Sequence, residues 1–376
     1  MVASTIAGAE YGITLVWALA AGVVVKMAIT EGGARWQLAT GTTLVEGWRN
    51  HLPRAGVLAF FLYFVVWSYF VAGALVSASA FVPAAVLPSV PLPVWGILHA
   101  TIALALVYAG RYELVVAVAK WLVALMFVAL LAATALIIFR SGADWSTLQT
   151  RSALSASYTL SLIGGIGGTV TLLSYGYWMR EAGWSGSGRI GAARLDLAAS
   201  FSLAFVFAAA MMFLSSQVEW AGEILEEGPA ICLKLADRIG AETGAIGRAL
   251  FLIGFWGAAF SSVLGVWHGV PFLFDDWIHL WRRTSPQGSR GAAYRGWAVY
   301  LTLAAISVLY LGRPVRFVFA YTIVGSLFFP FVIVTLLWLN NSRHLPRGVR
   351  NGGAVNLVLA AALGLYAYLA VASWPR

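Results

Sequence analysis

Residues 161–178 read SLIGGIGGTVTLLSYGYW, with glycines at 164, 165, 167 and 168 inside an apolar run long enough to cross a bilayer. Each glycine costs about 1 kcal/mol against alanine in a helix interior. Four of them in five positions predict a membrane helix that unwinds at its centre. Unpaired backbone groups survive at membrane depth only where they are buried in protein or line a cavity. Two readings are open on this segment alone. Freed carbonyls can hold a cation, with Thr169 and Thr171 adding hydroxyls, as in carriers built on broken helices. Alternatively, the glycines let a second helix approach closely.

The rest of the chain places this segment among many spans. The 376 residues are 61% hydrophobic and 10% charged, with a mean hydropathy of +0.83. Soluble domains carry about 25% charged residues, so this is an integral, multi-pass, all-α membrane protein. Apolar runs predict ten complete spans near 11–30, 56–82, 94–110, 113–139, 155–179, 195–214, 249–274, 296–312, 317–339 and 354–373. A stub, residues 1–9, precedes them and is too short to cross. Loops after the odd-numbered spans hold fourteen arginines against eight Lys/Arg on the other side. This bias makes the richer side cytoplasmic and puts the C-terminus outside. The net charge of +9 comes as short Arg groups between spans, without the aromatic interleaving of a nucleic-acid surface. The single cysteine, Cys232, excludes an internal disulfide or a cysteine metal cluster.

Charged groups inside hydrocarbon are functional candidates by default, and each has a plainer alternative. Lys26 lies near a span end and is expected to snorkel to the interface. Lys120 is expected to pair with Glu113 or to snorkel. Asp275 and Asp276 close a span beside a basic loop, RRTSPQGSRGAAYR at 282–295, and read as an interfacial cap. His99 and His268 read as hydrogen-bonded structural residues. In the outward segment 215–248, Glu219, Glu223, Glu226 and Glu227 read as a solvated loop. A short surface helix is expected there between Pro229 and Gly240. No nucleophile–base pair, phosphate loop or HExxH spacing supports an enzyme or a cofactor site.

Three stretches carry a resemblance. GITLVWALAAGVVVKMAITEGGARWQLATG (12–41) resembles the second helix of the Nramp divalent-metal transporters. ALFLIGFWGAAFSSVLGVWHG (249–269) is similar to that family's eighth helix, with Ser261 and Ser262 in its small-residue stretch. TIVGSLFFPFVIVTLLWLNNSRHLPRG (322–348) resembles the tenth, including Pro330 and Phe331. The likeness runs in order over nearly the whole chain. It implies a LeuT-type inverted-repeat fold in one transmembrane domain, 1–376. Residues 1–9 would be the remnant of a first helix, 11–139 the rest of the first repeat, 155–339 the second repeat and 354–373 an extra C-terminal helix. The glycine segment is then the unwound sixth helix, and the family's cytoplasmic N-terminus agrees with the charge bias.

The sequence departs from the family's pattern at two places. ASTIAGAEYG (3–12) resembles the stretch just after the family's Asp-Pro-Gly-Asn motif, so a start upstream of Met1 is expected. In the sixth helix the family's Met falls at Thr171 and its Pro-His at Leu172 and Leu173. The residue that lends a carbonyl falls at Gly168, and a tenth-helix Gln falls near Thr322. Thioether ligands favour soft metals, whereas hydroxyl and carbonyl oxygens suit Mg²⁺, Ca²⁺ or Mn²⁺. The resemblance therefore implies a carrier of a divalent cation such as Mg²⁺ or Mn²⁺, held as substrate by Gly168, Thr169, Thr171 and Thr322. The third family helix, VLAFFLYFVVWSYFVAGALVSASAF (57–81), contains no acid, which implies weak or absent proton coupling. The rival readings are a carrier of amino acids or other organic solutes on the same fold, and a non-transporting membrane protein that has lost its site. Compact loops and the family likeness imply a bacterial inner membrane.

Overall fold

In a computed structural model the chain is described over residues 1–110, 112–142, 155–220, 229–282 and 291–372. Among these the elements are helical: α1 Val2–Tyr11, α2 Val16–Thr40, α3 Leu44–His51, α4 Arg54–Val86, α5 Leu92–Tyr108, α6 Tyr112–Leu136, α7 Ala156–Gly165, α8 Ser174–Glu181, α9 Ile190–Ser216, α10 Ala230–Arg282, α11 Ala292–Leu309, α12 Pro314–Ser326, α13 Phe328–Leu339 and α14 Gly353–Ala372. Seven helical stretches are long and apolar enough to span a membrane, counting Ala156–Glu181 and Pro314–Leu339 each as one. Three shorter apolar helices, Leu92–Tyr108, Val123–Phe139 and Gly353–Leu369, complete the ten expected from the sequence.

Local chemistry sets several boundaries. Gly41, at φ 75°, caps α2 in the left-handed region, and its N–H bonds the Gln37 carbonyl at 2.8 Å. Thr43 and Glu46 form a reciprocal capping box at the start of α3. Proline enters α12 in its first turn, at Pro314, where its missing N–H costs nothing. The surface helix expected to stop at Gly240 begins on schedule at Ala230 but runs on. It breaks at Gly244, with φ 75° and ψ −172°. The ion pair Arg238–Glu242 (2.8 Å) braces the turn before the break, and Arg248–Asp237 (2.6 Å) reaches across it. Gly240 has ordinary helical geometry, so only the backbone conformation at 244, which L-residues rarely adopt, ends this helix.

The packing places the broken helix centrally. α10 packs on α4 and α6, α12 packs on α4 and α7, and both α1 and α2 pack on α9. A lipid-facing bundle gains little from the hydrophobic effect, so close packing and internal polar bonds hold it. Trp267 Nε1 donates to Thr302 Oγ1 (2.9 Å), and Trp256 Nε1 donates to His99 Nε2 (2.7 Å). His99 completes its pairing at the Trp95 carbonyl, 2.6 Å from Nδ1. It is a hydrogen-bonded structural histidine, as its setting in the sequence suggested.

Candidate functional site

The span 156–181 breaks where the glycines fall. α7 ends at Gly165, Ile166 is extended, and Gly167 (φ 66°) and Gly168 (φ 90°) turn the chain through the left-handed region. A single 3₁₀ turn, Val170–Leu173, then leads into α8. The two readings of the glycines divide between the two pairs. Gly167 and Gly168 supply the backbone freedom. Gly164 supplies contact, because a Cβ there would lie 2.3 Å from the Thr322 carbonyl oxygen on α12.

The last carbonyls of a helix have no partner within it, and here a cation takes them. Lys26, on α2, is fully buried. Its Nζ donates to the carbonyls of Gly164 (2.8 Å), Ile166 and Gly168, which uses all three N–H bonds of the ammonium. The Phe329 ring covers it with its centroid at 5.0 Å. Among the described residues no carboxylate oxygen lies within 4.0 Å of it. The expectation that Lys26 snorkels is therefore corrected: three carbonyls and a ring replace its hydration in the interior.

The four expected ligand residues lie around this break. The Gly168 carbonyl accepts from Lys26. Thr169 is buried, and its Oγ1 accepts from Trp67 Nε1 at 2.8 Å. Thr171 Oγ1 accepts from the Thr169 N–H at 3.3 Å. Thr322 Oγ1 donates to the Phe319 carbonyl (2.7 Å) and lies 2.5 Å from Ser161 Oγ. A cavity of about 450 Å³ opens on the break and brings Gly168, Thr171 and Thr322 together with Ser261, Ser262 and Tyr321. Thr169 is not among its lining residues. The lining includes no carboxylate and no imidazole, and among the described residues no group of three His, Cys, Asp or Glu could hold a metal. Lys120 is exposed and borders a second cavity, of about 600 Å³, on another side of the break. The side chain of Glu113 lies outside the described residues, as do Glu223, Glu226 and Glu227.

A second polar cluster closes one end of the bundle. Asp276 is 3% exposed and is not the interfacial cap expected of it. Its Oδ2 accepts from both Thr43 Oγ1 (2.9 Å) and Tyr177 OH (2.6 Å), tying the start of α3 and the middle of α8 to α10. Asp275 lies 3.5 Å from His279. Burial pushes the nearby Glu46 carboxyl above the ordinary carboxylate range, with its bond from the Thr43 N–H pulling the other way. Arg180 stands 3.9 Å from Glu46. An unsatisfied buried partner costs about 1–3 kcal/mol. Asp276→Ala, which orphans both hydroxyls, is therefore expected to lower the thermal unfolding midpoint more than Asp276→Asn, which keeps one carbonyl acceptor. Thermal scans of the two purified variants check the order.

A third cluster, around Glu31, also escaped sequence reading. Glu31 is bonded by Arg35 (Nε to Oε1 at 3.0 Å, Nη2 to Oε2 at 3.0 Å) and by Arg194 Nε at 2.8 Å. Arg35 reaches on to the Val349 carbonyl and to Asn351 Oδ1. The i,i+4 spacing of Glu31 and Arg35 was the available signal. Nothing local announced Arg194.

Comparison with solved structures agrees with this architecture. A manganese transporter of Eremococcus coleocola, in complex with an aromatic bis-isothiourea compound, superposes with a TM-score of 0.70 at 16% identity. The match covers 98% of this chain and 81% of that one. MhsT in complex with L-phenylalanine superposes at 0.66 and 15% identity, covering 99% and 94%. At such identities the likeness speaks for the fold alone. No curated protein sequence matches the chain. The family described as natural resistance-associated macrophage protein-like matches residues 1–374, which agrees with the ordered likeness of the second, eighth and tenth helices and with a central helix broken at its glycines. The chain is a multi-pass membrane protein that belongs to the Nramp family.

Proposed function

We propose that the chain carries a divalent cation across the membrane, with the ion passing the break at residues 164–171. The observation that supports this most is the 450 Å³ cavity beside the break, whose polar side chains offer oxygen. Thr171 and Thr322 would face the ion, while the Gly168 carbonyl is held by Lys26 and Thr169 holds the turn through Trp67. Hydroxyl and carbonyl oxygens suit hard ions such as Mg²⁺ or Mn²⁺. Mg²⁺ gives up its water reluctantly, and six waters occupy roughly 180 Å³ at about 30 Å³ each. The cavity has room for an ion that keeps its shell, which removes the need for a carboxylate ligand. The acid-free stretch 57–81 within α4 supports weak or absent proton coupling.

Purified protein in sealed vesicles tests this reading. Saturable Mn²⁺ or Mg²⁺ entry is expected, without proportionate acidification reported by a lumenal dye. Thr171→Ala is expected to raise the half-saturating concentration about tenfold, the equivalent of 1.4 kcal/mol. Absence of saturable divalent entry would sink the proposal.

One observation favours a second reading. The cavity presents no negative side chain while Lys26 places a positive charge behind the break, an arrangement suited to an organic solute with a carboxylate. Amino-acid uptake in the same vesicles, with no divalent flux, would favour that reading.

A further inference from the structure

We propose that the Lys26 ammonium is a tethered cation of the broken helix, filling the cradle of Gly164, Ile166 and Gly168 carbonyls in place of a dissociable ion. This assignment holds whichever solute is carried. It rests on the cradle's geometry and not on the composition of the neighbouring cavity.

Three features converge on it. The first is stoichiometry: an ammonium has three donors and no acceptor, and three carbonyls from one unwound segment meet it. The second is isolation. The group is fully buried, is covered by the Phe329 ring, and has no carboxylate within ion-pair distance among the described residues. An ammonium kept for an ion pair would have a carboxylate; this one has only backbone oxygen and a π face, which is also the environment of a desolvated monovalent cation. The third is connectivity. The carbonyls belong to residues 164–168, whereas the charge comes from α2, 138 residues earlier for Gly164. The bonds therefore fix the position of the break relative to α2.

The consequence is a specific division of labour. The oxygens on the α2 side of the break are occupied permanently. The carried species meets the other side, where Thr171 and Thr322 border the cavity. The segment then keeps its unwound shape with no bound ion, and no sodium or potassium is required to hold it.

Removing the side chain should convert the cradle into a site for a free cation. Lys26→Ala deletes Cγ through Nζ, and n-propylammonium restores those atoms. The experiment is thermal unfolding of the purified full chain in detergent at constant ionic strength. It compares wild type, Lys26→Met and Lys26→Ala in sodium, potassium, choline, n-propylammonium and tetramethylammonium chloride. The wild type is expected to unfold at one midpoint in all five salts. Lys26→Met, of similar length but without charge, is expected to unfold about 5 °C or more lower. Lys26→Ala is expected to fall at least as far, and to recover in n-propylammonium but not in tetramethylammonium.

A wild-type midpoint raised selectively by sodium or potassium would overturn the proposal, because a dissociable ion would then occupy the break. So would a Lys26→Met protein as stable as wild type, or equal responses of Lys26→Ala to the two alkylammonium salts. Should Lys26→Ala not fold, the wild-type salt series and Lys26→Met still decide. Stabilisation of the wild type by Mn²⁺ or Mg²⁺ bears on the carried ion alone, so failure of the functional reading leaves this test intact.

Discussion

Gly164→Ala is expected to abolish measurable solute flux and to lower the unfolding midpoint. A Cβ at this position lies 2.3 Å from the Thr322 carbonyl oxygen and 3.2 Å from its carbon. Both atoms are backbone, so no rotamer change relieves the contact and α7 must move away from α12. Overpacking of this kind costs about 1–3 kcal/mol. The functional loss comes from the groups that move. The Ser161–Thr322 hydroxyl contact and the Gly164 carbonyl that meets Lys26 both ride on α7. Gly265→Ala is the control, because that helical glycine also borders the cavity yet has nothing within 4 Å of an added Cβ. It is expected to leave flux unchanged and to raise stability slightly, by up to about 1 kcal/mol. Flux and thermal scans of the pair decide the matter. Equal behaviour of the two variants would show that α12 does not rest on Gly164.

Glu31→Ala is expected to have the larger effect on folding. Its carboxylate is the acidic partner of Arg35, whose side chain is 2% exposed. Removing one partner of a buried pair costs about 3–5 kcal/mol, because the remaining charge stays desolvated. Arg194 contributes differently. Its side chain is 57% exposed, and exposed ion pairs are worth about 0–1 kcal/mol. Arg194→Ala should therefore shift the unfolding midpoint little, while Glu31→Ala shifts it by several degrees. Thermal unfolding followed through tryptophan fluorescence would reveal the asymmetry, and equal shifts would refute it.

The sequence made the bundle legible because bilayer thickness imposes a length on every apolar run. All ten expected spans have a helical counterpart, and the glycine break falls where the glycines are. The site was legible only in part. Four glycines announce freed carbonyls, but not which cation meets them. Lys26 is separated from those carbonyls by more than a hundred residues, so only packing could show the match. Its place near one end of an apolar run argued for the interface instead. Asp276 misled for the same reason. Beside basic residues it reads as a cap, and burial becomes visible only when Tyr177 and Thr43 arrive from distant segments. The surface helix stops at Gly244 because the decisive quantity is φ, which residue identity constrains without choosing between two glycines four positions apart.

The paired hydrogen bonds at Asp276 also couple three helices at that end of the protein. Thr43 and Tyr177 share one oxygen atom, Oδ2, as their acceptor. A tilt of α8 away from α10 stretches the Tyr177 bond, and a retreat of α3 stretches the Thr43 bond. Moving α10 itself strains both together. A fastening with two arms on one pin releases stepwise when an arm is pulled and all at once when the pin is withdrawn. The helix that contributes the pin, α10, also borders the 450 Å³ cavity beside the break through Ser261 and Ser262. Any force on that wall would therefore act on the same helix that carries the bolt, with no intervening relay.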